Sequence, residues 1–341
     1  DKSIMPNSNF GGSIWIGGLD AGGQLKVAAM TYRQTGYDFW PGPLVMATAS
    51  TDEDVCNDYD QIFHMSRKDV ENFVFNAVQT EEIKNWPGNP LDLTKGHDTR
   101  LAPFFDALGD NIYDPTPGSG DYPYYDIYNT AAKDNLGVCA AKLFGDETLW
   151  WVFNDKGDIH TETGGQAIGL EVRAQAFAFK TSDDINNMTF YNYEVINRSS
   201  FSLNQTYFTV WTDPDLGNYN DDYVGCDIDQ GLGFIYNSDG YDELVAGTPG
   251  YLDFPAAGGC DFFKGPLADV GDAYDNDFDG LTDELGETIG MSKFLYYNNN
   301  IGSFPVQTTN PGLASHFYNY MTGFWKDGSP FTENGNAYGG S

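Results

Sequence analysis

The stretch Ile168–Lys180, Ile-Gly-Leu-Glu-Val-Arg-Ala-Gln-Ala-Phe-Ala-Phe-Lys, decides the fold class. Ile168, Leu170, Val172, Ala174, Ala176 and Ala178 fall at alternate positions. Glu171, Arg173 and Gln175 lie between them, followed by Phe177 and Phe179. A period of two puts the apolar set on one face of a β-strand and the polar set on the other. Phe190–Asn197, Tyr207–Thr212, Gly231–Asn237 and Met291–Asn298 repeat the pattern with β-branched and aromatic residues. Ser13–Gly18 and Gln24–Thr31 read as a hairpin closed by the Asp20-Ala-Gly-Gly turn. The strands are short, and 40 glycines and 16 prolines punctuate the chain between them. The expectation is a mainly-β, β-sandwich-like module.

One region departs from this pattern. Ser66 precedes Asp69 by three residues, and Val70, Phe73, Val74 and Ala77 follow at helical spacing, which predicts a capped helix. Thr80 opens a second short helix that ends before Trp86-Pro87-Gly88. Asp54–Asn89 is therefore read as a small helical insertion. Asp114–Asn135, with its prolines, glycines and tyrosines, reads as loop. No fixed-period repeat and no long linker divides the chain, so residues 1–341 are taken as a single module.

Composition narrows the function classes. Fifty acidic residues against 17 basic ones give a formal charge of −33. Strong acidity favours disorder only when aromatics are few. Here 16% of the chain is aromatic, so a folded protein is expected. Nucleic acid is excluded as a partner because phosphate binding needs a basic face. The apolar runs, such as Leu149–Phe153, are too short for membrane insertion. Cys56, Cys139, Cys226 and Cys260 form no CxxC pair, which argues against zinc. Four cysteines permit two disulfides in three pairings, or buried free thiols.

Three acidic loops carry the chemistry. Asp272–Glu287, DAYDNDFDGLTDELGE, crowds seven carboxylates into sixteen residues. Asp275, Asp277 and Asp279 alternate before Gly280, as in the opening of a calcium loop, where alternate side chains converge on one ion and glycine permits the turn. Leu281 is expected to add a backbone carbonyl and Asp283 a carboxylate. The twelfth position, where a bidentate acid closes such loops, is Gly286, so Glu287 is assigned that role, with Glu284 nearby. The second loop places Asp106, Asp110 and Asp114 at its first, fifth and ninth positions, with the carbonyl of Ile112 between. Leu108 stands where a ligand is expected and Asn111 where glycine is. The third, Asp213–Asp229, holds Asp213, Asp215, Asp221 and Asp222 and matches no standard loop, so a site built from several segments is expected. Oxygen ligands without histidine or cysteine favour calcium over transition metals.

Catalytic signatures are weak. His64, His97, His160 and His316 form no HExxH, and no GxSxG marks a nucleophile. With fifty acids, carboxylate pairs carry little information about glycoside hydrolysis. Trp40, Trp86, Trp150, Trp151, Trp211 and Trp325 are candidates for stacking on a glycan, although core packing is the commoner use of such residues.

Several blocks resemble the N-terminal region of large secreted proteins of Bacteroidota. They are Ile14-Trp-Ile-Gly-Gly-Leu-Asp20, Val27-Ala-Ala-Met-Thr-Tyr-Arg33, Asp38-Phe-Trp-Pro-Gly-Pro43, Trp150-Trp-Val-Phe-Asn-Asp-Lys-Gly157 and Thr189-Phe-Tyr-Asn-Tyr193. Trp211-Thr-Asp-Pro-Asp-Leu-Gly217, Gly265-Pro-Leu-Ala-Asp269, Met291-Ser-Lys-Phe294 and His316-Phe-Tyr-Asn-Tyr320 continue the likeness along nearly the whole chain. The resemblance implies export by type IX secretion, a C-terminal sorting domain, and a place at the cell surface or outside the cell. This chain ends at Gly339-Gly-Ser341 without that domain, so it is expected to be a piece of a longer protein. The resemblance implies no settled activity. The function expected is a calcium-stabilised, non-enzymatic surface protein, an adhesin or fibre subunit. It would work with protein partners or by self-assembly. The alternative is a glycan-binding or polysaccharide-degrading secreted protein.

Overall fold

The computed structural model describes residues 8–32, 36–118, 120–127, 142–244, 250–277, 279–299 and 304–331. In chain order the elements are β1 (Gly11–Leu19), β2 (Leu25–Ala28), β3 (Trp40–Pro41), α1 (Glu53–Asp58), β4 (Phe63–Ser66), α2 (Arg67–Asn76), α3 (Glu81–Lys84), β5 (Phe104–Phe105), β6 (Tyr122–Pro123), β7 (Glu147–Asn154), β8 (Leu170–Ala178), β9 (Phe190–Asn197) and β10 (Asn204–Asp213). They continue with β11 (Asp222–Asp227), β12 (Leu232–Asn237), β13 (Tyr241–Asp242), β14 (Leu252–Asp253), β15 (Ala257–Asp261) and α4 (Ala314–Met321). The protein is mainly β, and its sheets are antiparallel. Where the sequence reads as one module, backbone contacts group the chain into two compact units. The first is Asp1–Tyr37, Thr161–Gln166 and Leu203–Ser341; the second is Asp38–His160 and Ala167–Ser202.

The second unit is built on β8. Strands run in the order β3-β7-β8-β9, and β4 also pairs with β7. Trp150 and Val152 on β7 join Val55, Met65, Val70, Phe73, Ile83 and Trp86 in one core, so α1, α2 and α3 pack against this sheet. The helices form where expected. The Ser66 hydroxyl accepts from Asp69 N–H at 3.0 Å and donates to the Asp69 carboxylate at 2.6 Å, which caps α2. Thr80 accepts from Ile83 N–H and caps α3. The insertion is not wholly helical, because β4 lies inside it. Phe63–Ser66 alternates, and that lets Met65 bury fully while Phe63 packs against Trp150. In the stretch read as loop, β6 pairs with β5; residues 128–135 of that stretch, and Cys139, lie outside the described residues.

Both faces of β8 are buried. The polar face is closed by charge pairing. Glu171 is 0% exposed and accepts from Arg173 Nε at 2.9 Å, Arg198 Nη2 at 3.0 Å and Leu44 N–H at 3.0 Å. Asp98 accepts from Arg173 Nη2 at 3.0 Å and from Arg198 Nη2 at 3.3 Å. Two acids and two guanidiniums make a neutral group, so an alternating strand can be covered on its charged side. Burial works against the Asp98 carboxylate, but Arg173 and Arg198 outweigh it and hold the carboxyl below its ordinary range.

The first unit has a β10-β1-β2 sheet. Its core joins Trp15, Val27, Ala29 and Trp211 to Phe317, Tyr320 and Met321 of α4. Trp15 stacks on Trp211 at 6.0 Å, and Phe317 meets Trp15 edge-on at 4.9 Å. Met291–Asn298, expected as a strand, lies in no sheet; only Asn298 bridges to Thr309. Its alternation serves packing instead. Leu295 and Tyr297 lie against the core, and Trp211 Nε1 donates to the Tyr297 hydroxyl at 2.7 Å. A second sheet runs β11-β12-β15, beside the β13-β14 hairpin. Cys226 on β11 and Cys260 on β15 both register with Gly233 on β12. Cys56, Cys226 and Cys260 are free thiols.

Of the tryptophans considered for glycan stacking, Trp86, Trp150 and Trp211 are buried in these cores.

Candidate metal centre

The Asp272–Glu287 segment follows β15 and is tied at its neck. Leu267 bridges to Thr288, Ala268 N–H reaches the Glu287 carbonyl at 3.0 Å, and Ile289 N–H reaches the Pro266 carbonyl at 2.9 Å. Gly265 permits this closure, since a Cβ there would collide with the carbonyl of Ile289. Within the neck the acids fold inward. Gly280, at φ +92°, points its N–H at Asp275 Oδ2 from 2.9 Å. Leu281 N–H donates to Asp279 at 2.8 Å, and Asn276 N–H donates to Glu287 at 2.6 Å.

Two overlapping carboxylate groups result. Asp275, Asp277 and Glu287 each bring an oxygen within 4.8 Å of the others, and so do Asp277, Asp279 and Glu284. Glu287 is 5% exposed. Asp275 Oδ1, Asp277 Oδ1 and Glu284 Oε2 are buried without a hydrogen-bond partner. Among the described residues, no Lys or Arg forms an ion pair with any of the five acids. The Glu284 carboxyl sits above its ordinary range. Its own backbone N–H pulls it down, but desolvation and the carboxylates of Glu287, Asp279 and Asp277 prevail. Anionic oxygens that converge without donors or counter-charges repel one another, and a cation placed among them reverses that repulsion. Each of the two groups could hold a metal ion.

The sequence reading placed Asp275, Asp277, Asp279 and Glu287 in this group. It gave Glu284 no ligand role, although it lies within reach of the Gly286 position that breaks the standard spacing. Asp283, itself at φ +57°, has its carboxylate accepting from Ala273 N–H at 3.2 Å. Leu281 is anchored through its N–H, and its side chain is exposed.

The second loop is held together by hydrogen bonds. Asp106 is buried and accepts from Gly109 N–H at 2.6 Å, Asn111 N–H at 2.8 Å and, more distantly, Arg100 Nη1 at 3.4 Å. Asp110 accepts from Ile112 N–H, and Asp114 from Thr116 N–H. Asp121 caps Ala107 and Asp114 through their N–H groups. Asn111 takes the left-handed turn expected of it, at φ +61°. The acids accept from the loop's own N–H groups, and among the described residues Asp106, Asp110 and Asp114 do not form one of the convergent carboxylate groups.

In the third loop the acids take different partners. Asp213 accepts the Tyr32 hydroxyl at 2.6 Å. Burial, followed by the nearby Asp213 charge, raises the Asp215 carboxyl. Asp221 and Asp222 lie instead with Asp242 and Glu243, two acids the sequence reading did not select. Their signal was the Tyr241-Asp-Glu243 run that follows the predicted Gly231–Asn237 strand.

Compared with known proteins, the chain matches no family model, no curated protein and no solved structure.

Proposed function

We propose that this chain is a calcium-stabilised structural protein of the cell surface or extracellular space, without enzymatic activity. The observation that carries the reading is the Asp275–Glu287 cage, in which two groups of three acids share Asp277 and three buried oxygens lack any donor. All of its ligands are hard oxygens, and calcium accepts six to eight of them in irregular geometry, whereas magnesium demands near-ideal octahedra. Calcium is plentiful outside cells, which fits the resemblance to exported surface proteins of Bacteroidota. Among the described residues no helix is long and apolar enough to cross a membrane. A formal charge of −33 keeps separate copies apart. Assembly with like or partner chains would then proceed by calcium bridging or by strand addition at an outer strand such as β15, where backbone hydrogen bonds outweigh the repulsion.

Calcium removal tests this reading. A ligand that binds only the folded state adds about 2.7 kcal/mol per site at 100 times its dissociation constant. EGTA is expected to lower the melting temperature, calcium to restore it, and magnesium to restore it poorly. Asp277→Ala, which removes the acid common to both groups, is expected to lose one bound calcium per chain. An unchanged melting curve after thorough chelation refutes the reading.

A specific observation favours glycan binding as the second reading. Tyr223, Phe234 and Tyr236 share one face of the β11-β12-β15 sheet, with Tyr223 58% exposed and its ring 6.0 Å from that of Tyr236. Flat aromatic faces stack on sugar rings. If this face binds glycans, retention on a polysaccharide column falls at least tenfold in a Tyr223→Ala, Tyr236→Ala double variant. Equal retention of variant and parent removes the reading.

A further inference from the structure

A second acidic constellation lies where β11, β12 and β13 meet. Asp222 opens β11 and registers with Asn237, the last residue of β12, so the two side chains share one sheet face. Asn237 is only 6% exposed. Its Nδ2 donates to the carbonyls of Asp239 at 3.3 Å and Tyr241 at 3.4 Å. Only the nitrogen end of an amide can serve two carbonyls, so the side chain's orientation is fixed. Its Oδ1 is left buried without a hydrogen-bond partner. Asp222 Oδ2 accepts from Leu216 N–H at 2.9 Å, while its Oδ1 is also buried and unpartnered. Asp221 Oδ1 is a third such oxygen. The Asp221 carbonyl accepts from Ser238 N–H at 2.8 Å, which holds this residue beside the end of β12.

The surroundings concentrate negative charge. Asp242 is fully buried, with its oxygens taken by Asn218 N–H at 3.0 Å and Tyr251 N–H at 2.6 Å. Gly217, at φ +67°, lets the chain pass against that carboxylate, since any side chain there would overlap Asp242. Glu243 crowds Asp221. Among the described residues, no Lys or Arg forms an ion pair with Asp215, Asp221, Asp222, Asp242 or Glu243. Burial pushes the Asp222 carboxyl up to about 6; the Leu216 N–H opposes this, and the charges of Asp221, Asp215 and Asp242 reinforce it.

We propose that Asp221 Oδ1, Asp222 Oδ1 and Asn237 Oδ1 are ligands of a second calcium ion. Two carboxylates and an amide carbonyl are a hard-oxygen set of mixed charge, suited to calcium and poor for transition metals. A cation would give all three unpartnered oxygens a partner and cancel the mutual repulsion of Asp221, Asp222 and Glu243. This set shares no residue with the Asp275–Glu287 cage.

The test is calcium stoichiometry on the full chain, by equilibrium dialysis with calcium alone, together with melting curves in EGTA and in saturating calcium. Asp222→Asn keeps the oxygen that serves Leu216 while removing the charge. It is expected to lose one calcium equivalent that Asp277→Ala retains, and the double variant to lose both. In EGTA the Asp222→Asn variant is expected to melt at or above the parent, because a repulsive charge is gone; in calcium it is expected to melt below. Parent stoichiometry in Asp222→Asn overturns the proposal, as does an equal fall in melting temperature under both conditions, which marks a hydrogen-bonding role alone. If that variant does not fold, Asn237→Ser replaces it. At least tenfold weaker binding of one equivalent supports the site, and unchanged binding overturns it. Should Asp277→Ala keep every equivalent while Asp222→Asn loses one, the cage reading alone fails.

Discussion

Replacing Glu171 with alanine is expected to destabilise the unit formed by residues 38–160 and 167–202 by about 3–5 kcal/mol, the cost of removing one member of a buried ion group. Glu171 is the centre of its network. It receives both guanidiniums and the Leu44 N–H. Without it, the two guanidiniums keep the partly exposed Asp98, Arg173 keeps a long contact to the exposed Glu194, and one buried N–H loses its acceptor. Glu171→Gln retains an acceptor oxygen but not the charge, so an intermediate loss is expected. Denaturant unfolding followed by hydrogen exchange in β8 and β9 measures both. A loss below about 1 kcal/mol for Glu171→Ala would show that water or rearranged side chains replace the carboxylate.

The second large effect centres on His160. Its Nδ1 lies 3.3 Å from the fully buried Asp38 carboxylate, and its Nε2 lies 2.7 Å from the Asp155 carbonyl and 3.8 Å from that residue's carboxylate. Burial pulls the imidazole down, but the hydrogen bond and charge of Asp38, with those of Asp155, outweigh it and raise its pKa. A histidine raised in the folded state contributes stability that is fully present below its unfolded pKa and is lost as pH rises through the folded value. His160→Gln is therefore expected to cost about 3–5 kcal/mol near pH 6. The gap between variant and parent should narrow as the pH climbs above the raised value. Thermal unfolding of the two proteins across this range isolates the His160 contribution, since Asp38 and Asp155 are common to both. A gap that stays constant with pH contradicts a charged imidazole.

How much could be read in advance differed from element to element. Ile168–Lys180 was legible because strict alternation leaves few options but a strand, and Phe190–Asn197 matches β9 residue for residue. The capped start of α2 was legible because Ser66 and Asp69 stand at a spacing with a local mechanism. The burial of the Glu171 face was not, since Asp98 and Arg198 come from distant segments that no local pattern points to. Met291–Asn298 has a strand's alternation, but a strand also needs a backbone partner, and its aromatic side chains found a core instead. In the Asp272–Glu287 loop, the grouping of Asp275, Asp277 and Asp279 around shared carboxylate neighbours was legible from spacing alone. The irregular spacing at Gly286 still pointed to Glu287, but it gave no reason to place Glu284 beside Asp277 and Asp279. The carboxylate of Asp106 accepts from backbone N–H groups of its own loop. A short acidic loop can satisfy its carboxylates with its own N–H groups, and composition does not distinguish the two uses.

The positions of Cys226 and Cys260 bear on how this protein can be made and kept. Each faces Gly233 from opposite sides, so their α-carbons lie about 10 Å apart, two strand spacings, beyond the roughly 7 Å a disulfide can bridge. Burial raises both thiols, and Cys56 as well, away from the reactive thiolate form. Cys226 and Cys260 are thus held too far apart to pair. Refolding from a fully reduced, denatured chain should need neither an oxidant nor an isomerase for these residues. Reducing agents added for storage should leave the β11-β12-β15 sheet as it is.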